Sequence, residues 1–198
     1  MKKFTSIVCL LFVFLMVVSI PVGAANAYQT YTYSIDGQAL YSPDAYTAVK
    51  TLSYQNMGLG ATADPTLKAE DPMSKGMLNA AKDIVTDAEG NVYIADKDNN
   101  RILILDRYYN LKKEIRTFEN DQKIVDKFTK PEGVFVTADR YEEGELKYPG
   151  RIYVCDTGAQ RIVTFTLEGE FSKIIEKPVS NLIGDDMNYR PVAIAVDA

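Results

Sequence analysis

Histidine is absent from the 198 residues, which removes the usual general base near neutral pH and the commonest nitrogen ligand for zinc. Any chemistry has to rest on carboxylates, Lys, Tyr or Ser. Asp83 and Glu132 each stand at the start of a short apolar run, and converging carboxylates of this kind can hold a divalent cation through oxygen ligands. Arg190 precedes a third such run, and with Asp83 and Glu132 it forms the candidate ligand-binding set. The stretch Asp96-Lys97-Asp98-Asn99-Asn100 begins like a calcium loop, but Arg101 takes the place of the turn glycine and Arg107 that of the bidentate glutamate. The plainer reading of Asp96 is a turn carboxylate that accepts backbone hydrogen bonds beside Arg101. The expectation is of no cofactor, with Ca2+ at Asp83 and Glu132 as the alternative. Cys155 sits in an apolar strand pattern without a histidine partner and reads as a buried small hydrophobe.

These residues need strands to position them. From Ala81 onward apolar residues alternate with polar ones between Gly, Asn and Asp turns, giving strands near 84–86, 91–95, 101–105 and 113–118. The same order returns near 134–136, 151–155, 161–165 and 170–175, so two copies of a four-stranded meander are expected, and an all-β fold with them. Tyr93, Asp96 and Arg101 recur as Tyr153, Asp156 and Arg161. Recurrence in each copy is the mark of a structural device, because a single active site has no need of it twice. Between its first two strands the second copy carries about ten extra residues around 140–145, polar enough to form a surface hairpin. The segment 119–130, with Ile124, Val125 and Phe128 at helical spacing, predicts a short amphipathic helix. Residues 61–80, with Asp64-Pro65 and Asp71-Pro72, read as a connector with one helical turn at 73–78. Pro191-Val192-Ala193-Ile194-Ala195-Val196-Asp197 opens a third copy.

The segments Asn91-Val92-Tyr93-Ile94-Ala95-Asp96 through Arg101-Ile102, and Arg151-Ile152-Tyr153-Val154-Cys155-Asp156 through Arg161-Ile162, resemble NHL repeats. So do the openings Pro131-Glu132-Gly133-Val134 and Pro191-Val192-Ala193-Ile194. The resemblance covers about residues 80 to 198, as repeats at 81–130, 131–190 and the start of a third at 191–198. The ten-residue insertion, and Ala81-Lys82-Asp83 in place of the first proline, depart from the pattern. The whole chain resembles the secreted NHL proteins of Gram-positive bacteria. The resemblance implies a β-propeller in which each repeat is one blade; about two complete blades plus extra strands then make this the N-terminal fragment of a ring. Residues 28–80 would supply N-terminal strands, near 28–35 and 46–52, and a connector, completing the last blade. Asp83 and Glu132 would then lie near the mouth of the central channel, where loops of all blades meet.

The N-terminus supplies an address. Lys2 and Lys3 precede an apolar run over 7–18, which Pro21-Val22-Gly23 breaks before Ala25-Asn26-Ala27. That order is a secretory signal peptide over 1–27. Twelve residues make about 18 Å of helix, short of a bilayer core of roughly 30 Å; an uncleaved anchor is the alternative. The rest retains one cysteine, Cys155, so no intramolecular disulfide can form in the exported part.

Lys and Arg number 22 against 27 Asp and Glu, which leaves no cationic surplus for nucleic-acid phosphates. Six of the 13 tyrosines fall between Tyr28 and Tyr54; they suit strand packing, or stacking on glycan rings. The expected function is a non-enzymatic binding or scaffold module, exported and associated with the cell envelope, with a protein or glycan ligand and no nucleic acid. A membrane tether would lie beyond Ala198. The alternative is a metal-dependent hydrolase that resembles gluconolactonase, in which an ion held by Asp83 and Glu132 polarises an ester carbonyl.

Overall fold

The computed structural model describes residues 31–41, 50–179 and 188–197. The expected signal peptide and the start of the strand expected at 46–52 fall outside these residues. The only helical elements among the described residues are 3-10 turns, and none is long and apolar enough to cross a membrane. The chain divides into two compact units, 1–51 and 52–198.

In the first unit, β1 (Tyr31–Tyr33) and β2 (Ala39–Tyr41) form an antiparallel hairpin with Tyr31 opposite Tyr41. Asp36-Gly37 makes the turn, with Gly37 at φ 74° in the left-handed region that glycine enters without a steric penalty.

The second unit holds two antiparallel sheets built to one plan. The first runs β3 (Ala81–Thr86), β4 (Val92–Asp96), β5 (Arg101–Leu105), β6 (Leu111–Ile115), each paired with the next. Two further hairpins are β7 (Thr117–Glu119) with β8 (Val125–Lys127), and β10 (Arg140–Glu142) with β11 (Glu145–Tyr148). The second sheet runs β9 (Gly133–Val136), β12 (Ile152–Asp156), β13 (Arg161–Phe165), β14 (Phe171–Ile175). The meander expected from alternation is present in both copies, and the insertion forms the β10–β11 hairpin. The tight turns are held by side chains suited to them: Asp106 Oδ1 accepts the N–H groups of Tyr108 and Asn110 at 2.8 Å.

The helix expected at 119–130 is instead the β7–β8 hairpin. Asn120 Oδ1 accepts from the N–H groups of Gln122 and Ile124 at 3.0 and 3.1 Å, which offers the backbone a turn in competition with a helix. Ile124 and Val125 face solvent and Phe128 alone is buried. The helical turn expected at 73–78 is a 3-10 turn over Pro72–Lys75, capped by the Asp71 side chain on the Met73 N–H and ended by Gly76 at φ 74°.

Alternation along each strand gives each sheet two apolar faces. One face of the first sheet, with Tyr93, Ala95, Ile102, Ile104 and Ile115, packs on Val134, Ile152, Val154, Val163 and Phe165 of the second. Phe118 and Phe128 join that core, their ring centroids 5.4 Å apart and Phe118 5.3 Å from Phe165. The other face of the first sheet, with Val92, Ile94, Leu103 and Leu105, is covered by Met57 and Leu59, which precede the connector. The two sheets thus stack in the same sense, the Tyr93 face of one against the Ile152 face of the next.

Candidate functional site

The strands bring the candidate residues to one end of the two sheets, where β3 and β9 begin and β4 and β12 end. At this end each sheet closes with the same clamp. Asp96 accepts the Asn79 N–H at 2.7 Å, the Asn99 amide at 2.7 Å and the Arg101 Nε at 2.6 Å. Arg101 in turn donates to the carbonyls of Gly76 and Met77. In the second copy Asp156 accepts the Thr129 N–H at 2.6 Å and the Arg161 Nε at 3.0 Å. Arg161 grips Asp126 with two bonds and the Lys127 carbonyl with a third. Both pairs therefore tie the end of a sheet to the chain that enters it, and both Asp96 oxygens are occupied by protein donors. Tyr93 and Tyr153 do not act alike: the Tyr93 hydroxyl donates to Asp87 at 3.0 Å under the second sheet, whereas Tyr153 is half-buried on the far face of the second sheet.

Asp83 and Glu132 are not equivalent in the fold. The strand registers set Asp83 opposite Ala95, and Gly133 opposite Cys155, so the counterpart of Asp83 is Gly133. One position along a strand turns a side chain to the other side. Asp83 Oδ2 accepts the Val134 N–H at 2.9 Å and so joins the first strand of one sheet to the first strand of the other. Glu132 lies one residue earlier, and its carboxylate pairs with Lys97 at 2.9 Å.

Glu132 and Arg190 come together in a pocket of about 270 Å3 that Lys97 and Lys130 also line. Its backbone is pinned on all sides. The Glu132 N–H donates to the Cys155 carbonyl, the Gly158 N–H to Thr129, and the Thr157 hydroxyl to the carbonyl of Pro191, the residue after Arg190. A Cβ on Gly158 would lie 2.5 Å from the Thr129 oxygen, so only glycine allows this approach. Lys130 is held at φ 53°, its N–H on the Asn100 side chain at 2.8 Å.

No family model and no curated protein matches this chain. The charges of the pocket have to speak for themselves. Three cations, Lys97, Lys130 and Arg190, face one carboxylate, Glu132. The Lys97 ammonium, and with it the fields of Arg190 and Lys82, holds the Glu132 carboxyl below the usual carboxylate range. The pocket is locally cationic on a chain of net charge −5. Among the described residues no group of three His, Cys, Asp or Glu side chains is arranged to hold a metal ion.

Sequence reasoning missed Lys97 and Lys130 because it searched for oxygen ligands. Their positions were legible: Lys97 follows the end of β4, and Lys130 stands two residues before Glu132 and shortly before β9.

Proposed function

We propose that this chain is part of an exported, NHL-type β-propeller that acts as a non-enzymatic binding module at the cell envelope and holds an anionic group, a carboxylate or a phosphate. The observation that carries the reading is the cationic pocket in which Glu132 is already neutralised by Lys97 at 2.9 Å, while Lys130 and Arg190 line the same opening. Rigid backbone and convergent cations favour an anion over a cation there. The same-sense stacking of two four-stranded sheets supports the propeller reading, since each blade of such a ring packs its two faces on its neighbours.

The hydrolase reading needs Asp83 and Glu132 to share an ion. Asp83 bonds the Val134 N–H and Glu132 bonds Lys97, so the pair it depends on is engaged elsewhere.

Calorimetric titration of the exported protein with inorganic phosphate and with succinate, at low ionic strength, tests the proposal. Saturable binding is expected, weakened about tenfold by Lys130→Ala or Arg190→Ala, the loss of one charge-assisted hydrogen bond. Absence of anion binding, or calcium binding that Glu132→Gln abolishes, overturns it.

A further inference from the structure

A cavity of about 620 Å3 lies at the opposite end of the strands, between the first and second sheets. It opens beside the β3–β4 turn and is bounded on its other side by the insertion hairpin, the one feature that the second copy has and the first lacks. Its walls are of two kinds. Ile104 and Leu167 supply an apolar floor, and Glu89, Asn91, Asp139 and Glu168 place hydrogen-bonding groups around it.

The polar groups divide by what they already hold. Asp87 is saturated: it accepts the N–H groups of Glu89 and Asn91, the Asn91 amide and the Tyr93 hydroxyl. It is scaffold. Asp139 uses Oδ1 for the Gly150 N–H at 2.7 Å, and Glu89 receives only a long contact of 3.4 Å from Asn91. A carboxylate has about four acceptor sites, so both keep capacity for further donors. Lys112, with its Nζ 3.1 Å from the Asn91 oxygen, adds a donor to the same wall.

The lip carries one aromatic side chain. Tyr141 of the insertion hairpin lines the cavity and is 60% exposed, and Leu146, opposite it across the hairpin, is also exposed. Scattered single exposed apolar side chains need no explanation, but an exposed pair on the hairpin that bounds a cavity does. A flat ring beside acceptor carboxylates, above an apolar floor, fits a ligand with a C–H face and a circumference of hydroxyl donors.

We propose that this cavity is a carbohydrate site for a neutral pyranose oligosaccharide, with Tyr141 stacking on a sugar ring and Glu89 and Asp139 accepting from its hydroxyls. The carboxylates that accept from hydroxyls repel an acidic sugar, which sets the class as neutral. The site is separate from the cationic pocket and does not depend on that pocket being occupied.

The test is saturation-transfer NMR and calorimetry on the whole exported protein with cellotriose, maltotriose and tri-N-acetylchitotriose, and with spermidine as a cationic control. Binding of at least one trisaccharide is expected, weakened roughly tenfold or more by Tyr141→Ala. Asp139→Asn keeps an acceptor for the Gly150 N–H and tests the carboxylate itself; weakening is expected there too. Lys130→Ala should leave the affinity unchanged, which separates this site from the other. Tyr141 is exposed, so its variant should unfold at the wild-type midpoint and report on binding alone. Failure of all three trisaccharides at millimolar concentration, affinity indifferent to Tyr141→Ala, or binding of spermidine in their place overturns the proposal.

Discussion

Arg101 donates its Nε to the Asp96 carboxylate at 2.6 Å, and solvent reaches neither side chain. The corresponding Arg161 keeps some exposure, and each arginine has a second carboxylate, Glu114 at 3.0 Å on Arg101 and Asp126 at 2.6 Å on Arg161. Breaking a buried pair by removing one partner leaves a poorly compensated charge, and the penalty is smaller where water reaches that charge.

Asp96→Ala should therefore cost up to about 3–5 kcal/mol, and Asp156→Ala less, because water reaches the Arg161 side chain and not that of Arg101. Urea denaturation of the two variants side by side measures the difference. Equal losses would mean that the two clamps do not differ as their surroundings indicate.

Asp83 and Glu132 should separate on stability. Asp83→Ala strips the Val134 N–H, a donor in the strand that joins the two sheets, of its partner, at a cost of about 1–3 kcal/mol. Glu132→Gln removes a pair with Lys97 at partly exposed side chains and should change stability by no more than about 1 kcal/mol. Thermal unfolding of both variants checks the order, and a larger loss at Glu132 would reverse the assignment of scaffold and site.

The stability of the second sheet should fall in acid through Asp126. Hydrogen bonds from Arg161, then that from the Lys127 N–H and the Arg161 charge, hold its carboxyl below the ordinary value of 3.8. A depressed carboxylate contributes stability that is fully present above the unfolded-state pKa and is lost as pH falls through the folded one. Denaturant midpoints should drop below about pH 4, and Asp126→Asn should shallow that drop while lowering stability at neutral pH. A profile unchanged by the substitution would remove Arg161–Asp126 as its source.

The strands were readable because alternation and turn residues act locally: Ile102 and Ile104 on one face, Leu103 and Leu105 on the other, between Asn100 and Asp106. The 119–130 segment misled because Ile124, Val125 and Phe128 fit a helical stripe, while Asn120 chose a turn through bonds that hydrophobic spacing does not encode. The role of Asp83 was hidden for a different reason. Its partner, the Val134 N–H, lies 51 residues away, and only the packing of β3 beside β9 brings them together. The cavity under Tyr141 was out of reach as well, since a void between two sheets belongs to neither sequence repeat.

Cys155 offers a direct measure of how tightly the second sheet is closed. Its thiol is fully buried, and burial, with the Asp83 carboxylate adding to it, pushes its pKa up to about 11. At pH 8 only about one thiol in a thousand would be ionised, and alkylating reagents reach even that fraction only when the sheet opens. Iodoacetamide at pH 8 should leave Cys155 of the native protein unlabelled over hours and should label it fully in 6 M guanidinium at the same pH. Mass spectrometry of the peptide that carries Cys155 reads both. Rapid native labelling would mean that the face carrying Cys155, against which Gly133 approaches the Val192 carbonyl, opens freely to solvent.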